Sequence, residues 1–180
     1  MISLRFLGLS GRISCNRGRQ ANIMTAMSKM QRFEITAATQ DEREWAAALF
    51  AGLEPWITLG ATLEQLRKAS CDPEYLVYIA RADGERCGAI VLHRRGLAGS
   101  PYIKSIAVVE QHRSNGAGTA LMNFAERLFA AEARHIFLCV SSFNTRARTF
   151  YERRGYKAVG ELQDYVIEGA SEILMHKRLR

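Results

Sequence analysis

Residues 106–121 read Ile-Ala-Val-Val-Glu-Gln-His-Arg-Ser-Asn-Gly-Ala-Gly-Thr-Ala-Leu, and this stretch limits the fold more than any other. A β-branched apolar run passes into a turn of small and polar residues and then directly into an amphipathic helix. A strand joined to a helix in this way leaves the first helical N–H groups without intrahelical partners and aims them at one point. Such a concave set of donors, with the positive end of the helix dipole behind it, holds a phosphate or pyrophosphate. Gly116 and Gly118 remove side chains that would keep a ligand off the backbone, and Arg113 adds a fixed positive charge. Two glycines at such a joint are also a common structural device, so the loop alone does not establish a ligand. Two familiar phosphate motifs fail here: no Lys follows Gly118 as a Walker A loop requires, and Leu121 stands where a dinucleotide fingerprint needs Gly or Ala.

Around this joint the chain alternates strand and helix signals. Residues 33–39 read as a strand, and Thr39-x-x-Glu42 is a capping box opening a helix with Trp45, Ala46, Leu49, Phe50 and Leu53 on its apolar face. Thr62-x-x-Gln65 opens a shorter helix that stops before Asp72-Pro73. Residues 75–82 and 86–92 form a hairpin around Asp83-Gly84, a pair suited to the positive φ angles of a tight turn. Gly96, Gly99 and Pro101 close that strand and begin another, over 102–109. A helix is expected over 119–133, with Leu121, Phe124, Ala125 and Leu128 on one face, then a strand over 135–141 and a helix over 144–154 ended by Gly155. Strands over 156–162 and 172–179 complete the order β-α-α-β-β-β-α-β-α-β-β. That order mixes an antiparallel meander with a crossover unit. It predicts a single α/β (α+β) domain around one mixed, mostly antiparallel sheet flanked by helices.

Charge separates the chain into two parts. The net charge is +7, yet Arg5, Arg12, Arg17, Arg19 and Lys29 fall in the first 30 residues, where there is no Asp or Glu. The remaining residues carry 20 basic against 18 acidic side chains, so the body is nearly neutral. Residues 1–30 are read as a basic extension, disordered or not native, and residues 31–180 as the folded domain. An Arg- and Ser-rich, acid-poor leader also fits a transit peptide, whereas no long apolar segment suggests secretion. With 48% hydrophobic and 24% charged residues, disorder of the whole chain and collagen-like repetition are excluded. No apolar run approaches the roughly 18 residues of a membrane span. Cys15, Cys71, Cys87 and Cys139 are widely spaced, and the histidines do not fall at ligand spacings, so no metal is expected. Scattered thiols read as reduced and intracellular, hence cytoplasmic, or organellar if the extension is a transit peptide.

The whole constellation resembles the GNAT superfamily of acetyl-CoA-dependent N-acetyltransferases. Arg113-Ser-Asn-Gly116-Ala-Gly118 is similar to its pyrophosphate loop, and Ile106-Ala-Val108 to the preceding strand. Asn144-x-x-Ala147-x-x-Phe150-Tyr151-x-x-x-Gly155-Tyr156 resembles its second conserved helix, and Leu174-Met175-x-Lys177 its last strand. The likeness covers about residues 32–179.

The resemblance implies that acetyl-CoA is the acetyl donor and that no metal takes part. The pantetheine arm would pair with Ile106, Ala107 and Val108 in a splay between that strand and residues 135–141. The pyrophosphate would rest on the N–H groups of Arg113, Ser114, Asn115, Gly116, Ala117 and Gly118, with Thr119 at the helix start. Asn144 would bond the cofactor's amide-bearing arm, and Ala147 would leave room for it. An N–H near Val108 would polarise the thioester carbonyl. Tyr151 would act as general acid to the departing thiolate, because a phenol stays protonated at neutral pH. A core aromatic beside Phe150 is the competing reading of Tyr151.

Some members carry a catalytic glutamate where this chain has Tyr102, and others where it has Cys139, so neither carboxylate is present. Glu110, His112 and His93 are the nearest alternatives in sequence, each better read as a turn or strand-end residue. Without a positioned base, a lysine costs roughly 4.6 kcal/mol to deprotonate at pH 7 and an α-amine roughly 1.4. This favours an α-amine, aromatic amine or small-molecule acceptor. Acceptor recognition is expected from residues 42–69, 97–101 and 163–171, with Trp45, Trp56, Asp164, Tyr165 and Glu168 as candidates. Core packing is the preferred reading for both tryptophans, and a solvated loop for the two acids. The expected partners are acetyl-CoA and an amine, with no nucleic acid and no membrane, and a homodimer is left open. The alternative function is a catalytically silent acyl-CoA-binding or sensing module.

Overall fold

The structure is a computed structural model that describes residues 33–180. The basic extension over 1–30 and Cys15 lie outside the described residues. Strand β1 (Phe33–Ala37) leads into helices α1 (Gln40–Ala51) and α2 (Leu63–Cys71), then strands β2 (Tyr75–Ala82), β3 (Glu85–Leu97) and β4 (Ser100–Val108). A 3-10 turn, Glu110–His112, precedes α3 (Ala117–Ala130), followed by β5 (His135–Ser141), α4 (Thr145–Arg153), β6 (Lys157–Leu162) and β7 (Glu172–Arg178). The element order is the expected one. All seven strands join one sheet in the order β1-β2-β3-β4-β5-β7-β6. Every neighbouring pair is antiparallel except β4 and β5, which run parallel.

Alternating side chains feed two cores, as a sheet covered on both faces requires. Ile90 and Leu92 of β3 pack with Leu121, Met122, Ala125 and Phe129 of α3. Ala89 and Val91 point the other way, toward Ala46, Ala47 and Phe50 of α1 and Leu66 of α2. Each large side chain so buried is worth about 1.5–3 kcal/mol. Among the described residues no helix is long and apolar enough to cross a membrane.

Of the boundaries that differ from the expectation, two stand at glycines, and the second lies at the site. Strand β3 does not stop at Gly96. It runs on to Leu97 and reverses through Ala98 (φ 47°) and Gly99 (φ 75°), a two-residue turn with both φ angles positive. Helix α3 starts at Ala117, two residues before the expected start at Thr119, with Gly116 as its N-cap at φ 97°. Gly118 therefore lies inside the first turn rather than in the loop.

The helix after β5 closes as expected. Gly155 takes φ 87°, its N–H donates to the Glu152 carbonyl, and the Tyr156 N–H donates to the Tyr151 carbonyl, the paired bonds of a Schellman motif.

Candidate active site

The site begins as a fault in the sheet. Val91 pairs with Ser105, but Leu92 pairs with Ile103, so Lys104 is an extra residue that bulges β4. Strand β4 meets β5 only at Tyr102–Phe137 and Ile103–Leu138, and beyond those pairs the two strands part. The opening is a cavity of about 920 Å³.

Strand β4 supplies Ile106, Ala107 and Val108 to its lining. Val109 donates its N–H to the Cys87 carbonyl of β3 at 2.9 Å, so alternation turns the N–H groups of Val108 and Ile106 toward the open side. Arg113 Nε donates to the Val108 carbonyl at 3.2 Å, bracing the guanidinium against the strand end.

The loop contributes Arg113, Ser114, Gly116, Gly118 and Thr119. Ser114 (φ 66°) and Gly116 (φ 97°) are both left-handed, the backbone pattern that turns successive N–H groups toward one concavity. Ala120 is the first residue of α3 to bond back, its N–H reaching the Gly116 carbonyl at 2.9 Å. No side chain caps this end, and its first turn holds no acid. The two glycines have separate roles. Gly116 is required by its φ angle, whereas a Cβ at Gly118 would meet only ordinary contacts, Phe150 Cζ at 3.7 Å and Val108 Cγ2 at 3.8 Å. Packing does not demand a glycine at 118, which lines the cavity. Asn115 and Ala117 do not line the cavity: Asn115 is exposed and bonds the Gln111 carbonyl, and the Ala117 side chain packs into the core.

Asn144, Ala147 and Tyr151 line the cavity from α4 and its N-cap. Asn144 is the N-cap of α4, its Oδ1 accepting the Ala147 N–H at 3.2 Å, which leaves its Nδ2 group as a donor. Tyr151 is only 7% exposed, and burial pushes its pKa up, so its hydroxyl keeps its proton throughout the neutral range.

Of the acceptor candidates, Trp56 and Tyr165 line the cavity, joined by Ile57 and Val166, which the sequence reading did not single out. Trp56 also packs on Phe50 at 4.8 Å between ring centroids. Trp45 lies beneath the Arg86 guanidinium, and Asp164 Oδ1 accepts the Gly169 N–H at 2.7 Å within its own loop. Trp45, Asp164, Glu168 and the 97–101 turn do not line the cavity. His112 lines it, Glu110 does not, and His93 pairs with Glu74 at 3.0 Å away from it.

Tyr102 and Cys139 both line the cavity, and burial raises both pKa values. Beside them is a group the sequence reading missed. Glu172, the first residue of β7, lines the same cavity, and burial raises its pKa while the Ser141 hydroxyl opposes the shift. Its position follows from the β5–β7 register, Ser141 opposite Glu172, and counting that register was the only sequence signal that would have found it.

A sequence model described as the Acetyltransferase (GNAT) family matches residues 34–156. An uncharacterized N-acetyltransferase of Methanocaldococcus jannaschii is 36% identical over 103 residues, a match that spans 56% of this chain and 65% of that protein. An N-alpha-acetyltransferase of Sulfurisphaera tokodaii is 30% identical over 114 residues, 57% of this chain and 68% of that protein. The solved structure of an aminoglycoside 6'-N-acetyltransferase complexed with coenzyme A shares the fold, with a TM-score of 0.65 at 20% identity over 82% of this chain and 97% of that one.

Proposed function

Because the chain belongs to the Acetyltransferase (GNAT) family, we propose that residues 31–180 form an N-acetyltransferase domain that moves an acetyl group from acetyl-CoA to an amine. The observation that carries this reading is the uncapped, acid-free start of α3, with Gly118 in its first turn where packing demands no glycine, on the lining of the β4–β5 opening. Acetyl-CoA supplies an activated thioester to this cavity. The amides at 116–119 and Arg113 hold its pyrophosphate. The outward N–H of Ile106 pairs with its pantetheine arm, and Asn144 Nδ2 donates to that arm. The Val108 N–H polarises the thioester carbonyl, an effect commonly worth a few kcal/mol in acyl transfer. Tyr151 gives its proton to the leaving sulfur.

The acceptor is an amine that approaches past Trp56 and Tyr165. Its class, favoured from sequence as an α-amine, aromatic amine or small-molecule amine, is supported toward an α-amine by the name of the Sulfurisphaera tokodaii relative.

The test is thiol release from acetyl-CoA over a panel of peptides, polyamines and antibiotics. Tyr151→Phe should lower kcat about 10²-fold or more while acetyl-CoA affinity holds. Binding of acetyl-CoA with no turnover of any amine by the wild-type protein would replace this reading with a silent sensing module.

A further inference from the structure

Two carboxylates in the described structure are buried to the same degree, Glu42 and Glu172, each 8% exposed. Their surroundings are opposite. Glu42 is neutralised by Arg81 and accepts the Thr39 N–H at 2.8 Å, a structural arrangement. Glu172 accepts only the Ser141 hydroxyl, at 2.5 Å, and among the described residues no cation pairs with it. A carboxylate buried without a cation lowers stability. This one lines the cavity, on the side where Tyr102 and Cys139 stand in place of the carboxylates that the resemblance leads one to expect.

We propose that Glu172 takes the proton from the acceptor amine, so that β7 supplies the carboxylate absent from β4 and β5. The inference rests on the acetyl-transfer reading above. The amine arrives as an ammonium ion, drawn by the Glu172 carboxylate, and gives it one proton. The neutral nitrogen then forms its bond to the thioester carbonyl carbon and loses a second proton, and the carbon–sulfur bond breaks. The sulfur leaves with the Tyr151 proton. One proton taken from the nitrogen replaces that of Tyr151, and the other passes to solvent, for a net release of one.

The neighbouring groups leave this task to Glu172. Tyr102 on β4 and Cys139 on β5 keep their protons because burial raises their pKa values, and Ser141 is a donor. Lys104 on β4, Glu54 after α1, Tyr165 before β7, His112 and Arg113 of the loop, and Arg146, Tyr151 and Arg153 of α4 are the other charged or titratable groups that line the cavity. Strand β6 places the apolar Leu162 opposite Glu172. Ile57, Tyr165 and Val166, which are 56%, 69% and 49% exposed, give the rim an apolar character. The substrate class is therefore a cationic primary amine with an apolar group next to it. The energetic preference for a low-pKa amine lapses once a base is present, and the apolar rim becomes the selector.

Glu172→Gln keeps an acceptor for Ser141 and removes the base. With the best amine of the panel, kcat/KM should fall about 10²-fold or more. The limb along which the wild type loses rate as pH falls and Glu172 takes up a proton should disappear. Calorimetric acetyl-CoA affinity should not change. Stability gives a second readout. Glu172 has a raised pKa in the folded state, so its contribution is fully present below the unfolded carboxylate pKa and is lost as pH rises through the folded pKa. The variant escapes that loss, and its Tm at neutral pH should equal or exceed that of the wild type. Glu172→Asp should retain the acid limb at a reduced rate. A folded Glu172→Gln protein with wild-type kcat/KM and an unchanged limb would overturn the assignment, as would a Tm that drops together with acetyl-CoA affinity. A wild-type protein that turns over no amine would instead remove the acetyl-transfer reading, and this assignment with it.

Discussion

Helices α1 and α2 satisfy their first amides from within, and α3 does not. The Thr39 hydroxyl accepts from the Glu42 N–H, and the Glu42 carboxylate accepts from the Thr39 N–H. Thr62 and Gln65 repeat this arrangement at α2. Both first turns carry an acid, Asp41 and Glu42 in α1 and Glu64 in α2, where the helix dipole favours it. Helix α3 begins on a bare glycine with no acid and no capping side chain. Glycine at an N-cap is only a few tenths of a kcal/mol worse than a capping residue, so an open helix start costs the fold little. The difference lies in what the amides remain free to hold. Where a helix start only joins two elements, the chain saturates it, and where the helix start lines the cavity, the donors are left uncapped.

The most direct way to break this contrast is to give α3 the acid that α1 has. Thr119 stands three residues after the N-cap, as Glu42 does after Thr39, and it is exposed, so Thr119→Glu should fold. Its carboxylate should stabilise the helix by about 0.3–1 kcal/mol. The same charge would repel a pyrophosphate, and two like charges 4 Å apart at an effective dielectric near 20 repel by about 4 kcal/mol. Acetyl-CoA affinity should therefore fall about 10²-fold or more while Tm rises slightly. An unchanged Kd in a calorimetric titration would mean that these amides do not hold the pyrophosphate.

A smaller change sharpens the same point without adding charge. Gly118→Ala places a methyl where the protein has room for it, and alanine in a helix is favoured over glycine by roughly 0.5–1 kcal/mol. Stability should hold or rise, and acetyl-CoA affinity should drop about tenfold, the equivalent of 1.4 kcal/mol. Equal affinity would show that the bare position serves the backbone alone.

How much of this was legible in the sequence depended on how local each signal was. The two capping boxes, the Asp83-Gly84 hairpin and the Gly155 helix end each lie within a few residues, and the structure has all of them. Apart from Asn115 and Ala117, the residues read as the donor site in the strand-to-helix joint line one cavity because a strand running into a helix fixes its own geometry, and Asn144, Ala147 and Tyr151 of α4 and its N-cap line it too. The side-chain environments of Asn115 and Ala117 were not readable from the pattern. Gly96 misled for a different reason. A Cβ there would lie 2.7 Å from the Tyr102 Cβ and 2.9 Å from the His93 Cβ, so it is glycine for close approach inside a continuing strand and not a strand end. Glu172 was invisible because its meaning depends on a register between strands, and its hydroxyl partner is 31 residues away. Sequence proximity points to residues near β4 and β5, while the sheet brings a carboxylate from β7.

Thr39→Ala is the smallest perturbation, and it tests whether the contrast concerns a ligand or helix starts in general. It removes the hydroxyl that caps α1 and leaves Glu42 paired with Arg81. Loss of such a cap costs about 1 kcal/mol, which a thermal melt should read as a modest drop in Tm. Helix α1 packs on Val77, Ile79 and Val91, and Thr39 does not line the cavity, so acetyl-CoA affinity and turnover should stay at wild-type values. If instead the acetyl-CoA Kd weakened as far as in Thr119→Glu, the amides of α3 would owe their effect to overall helix stability and not to a ligand held at their tips.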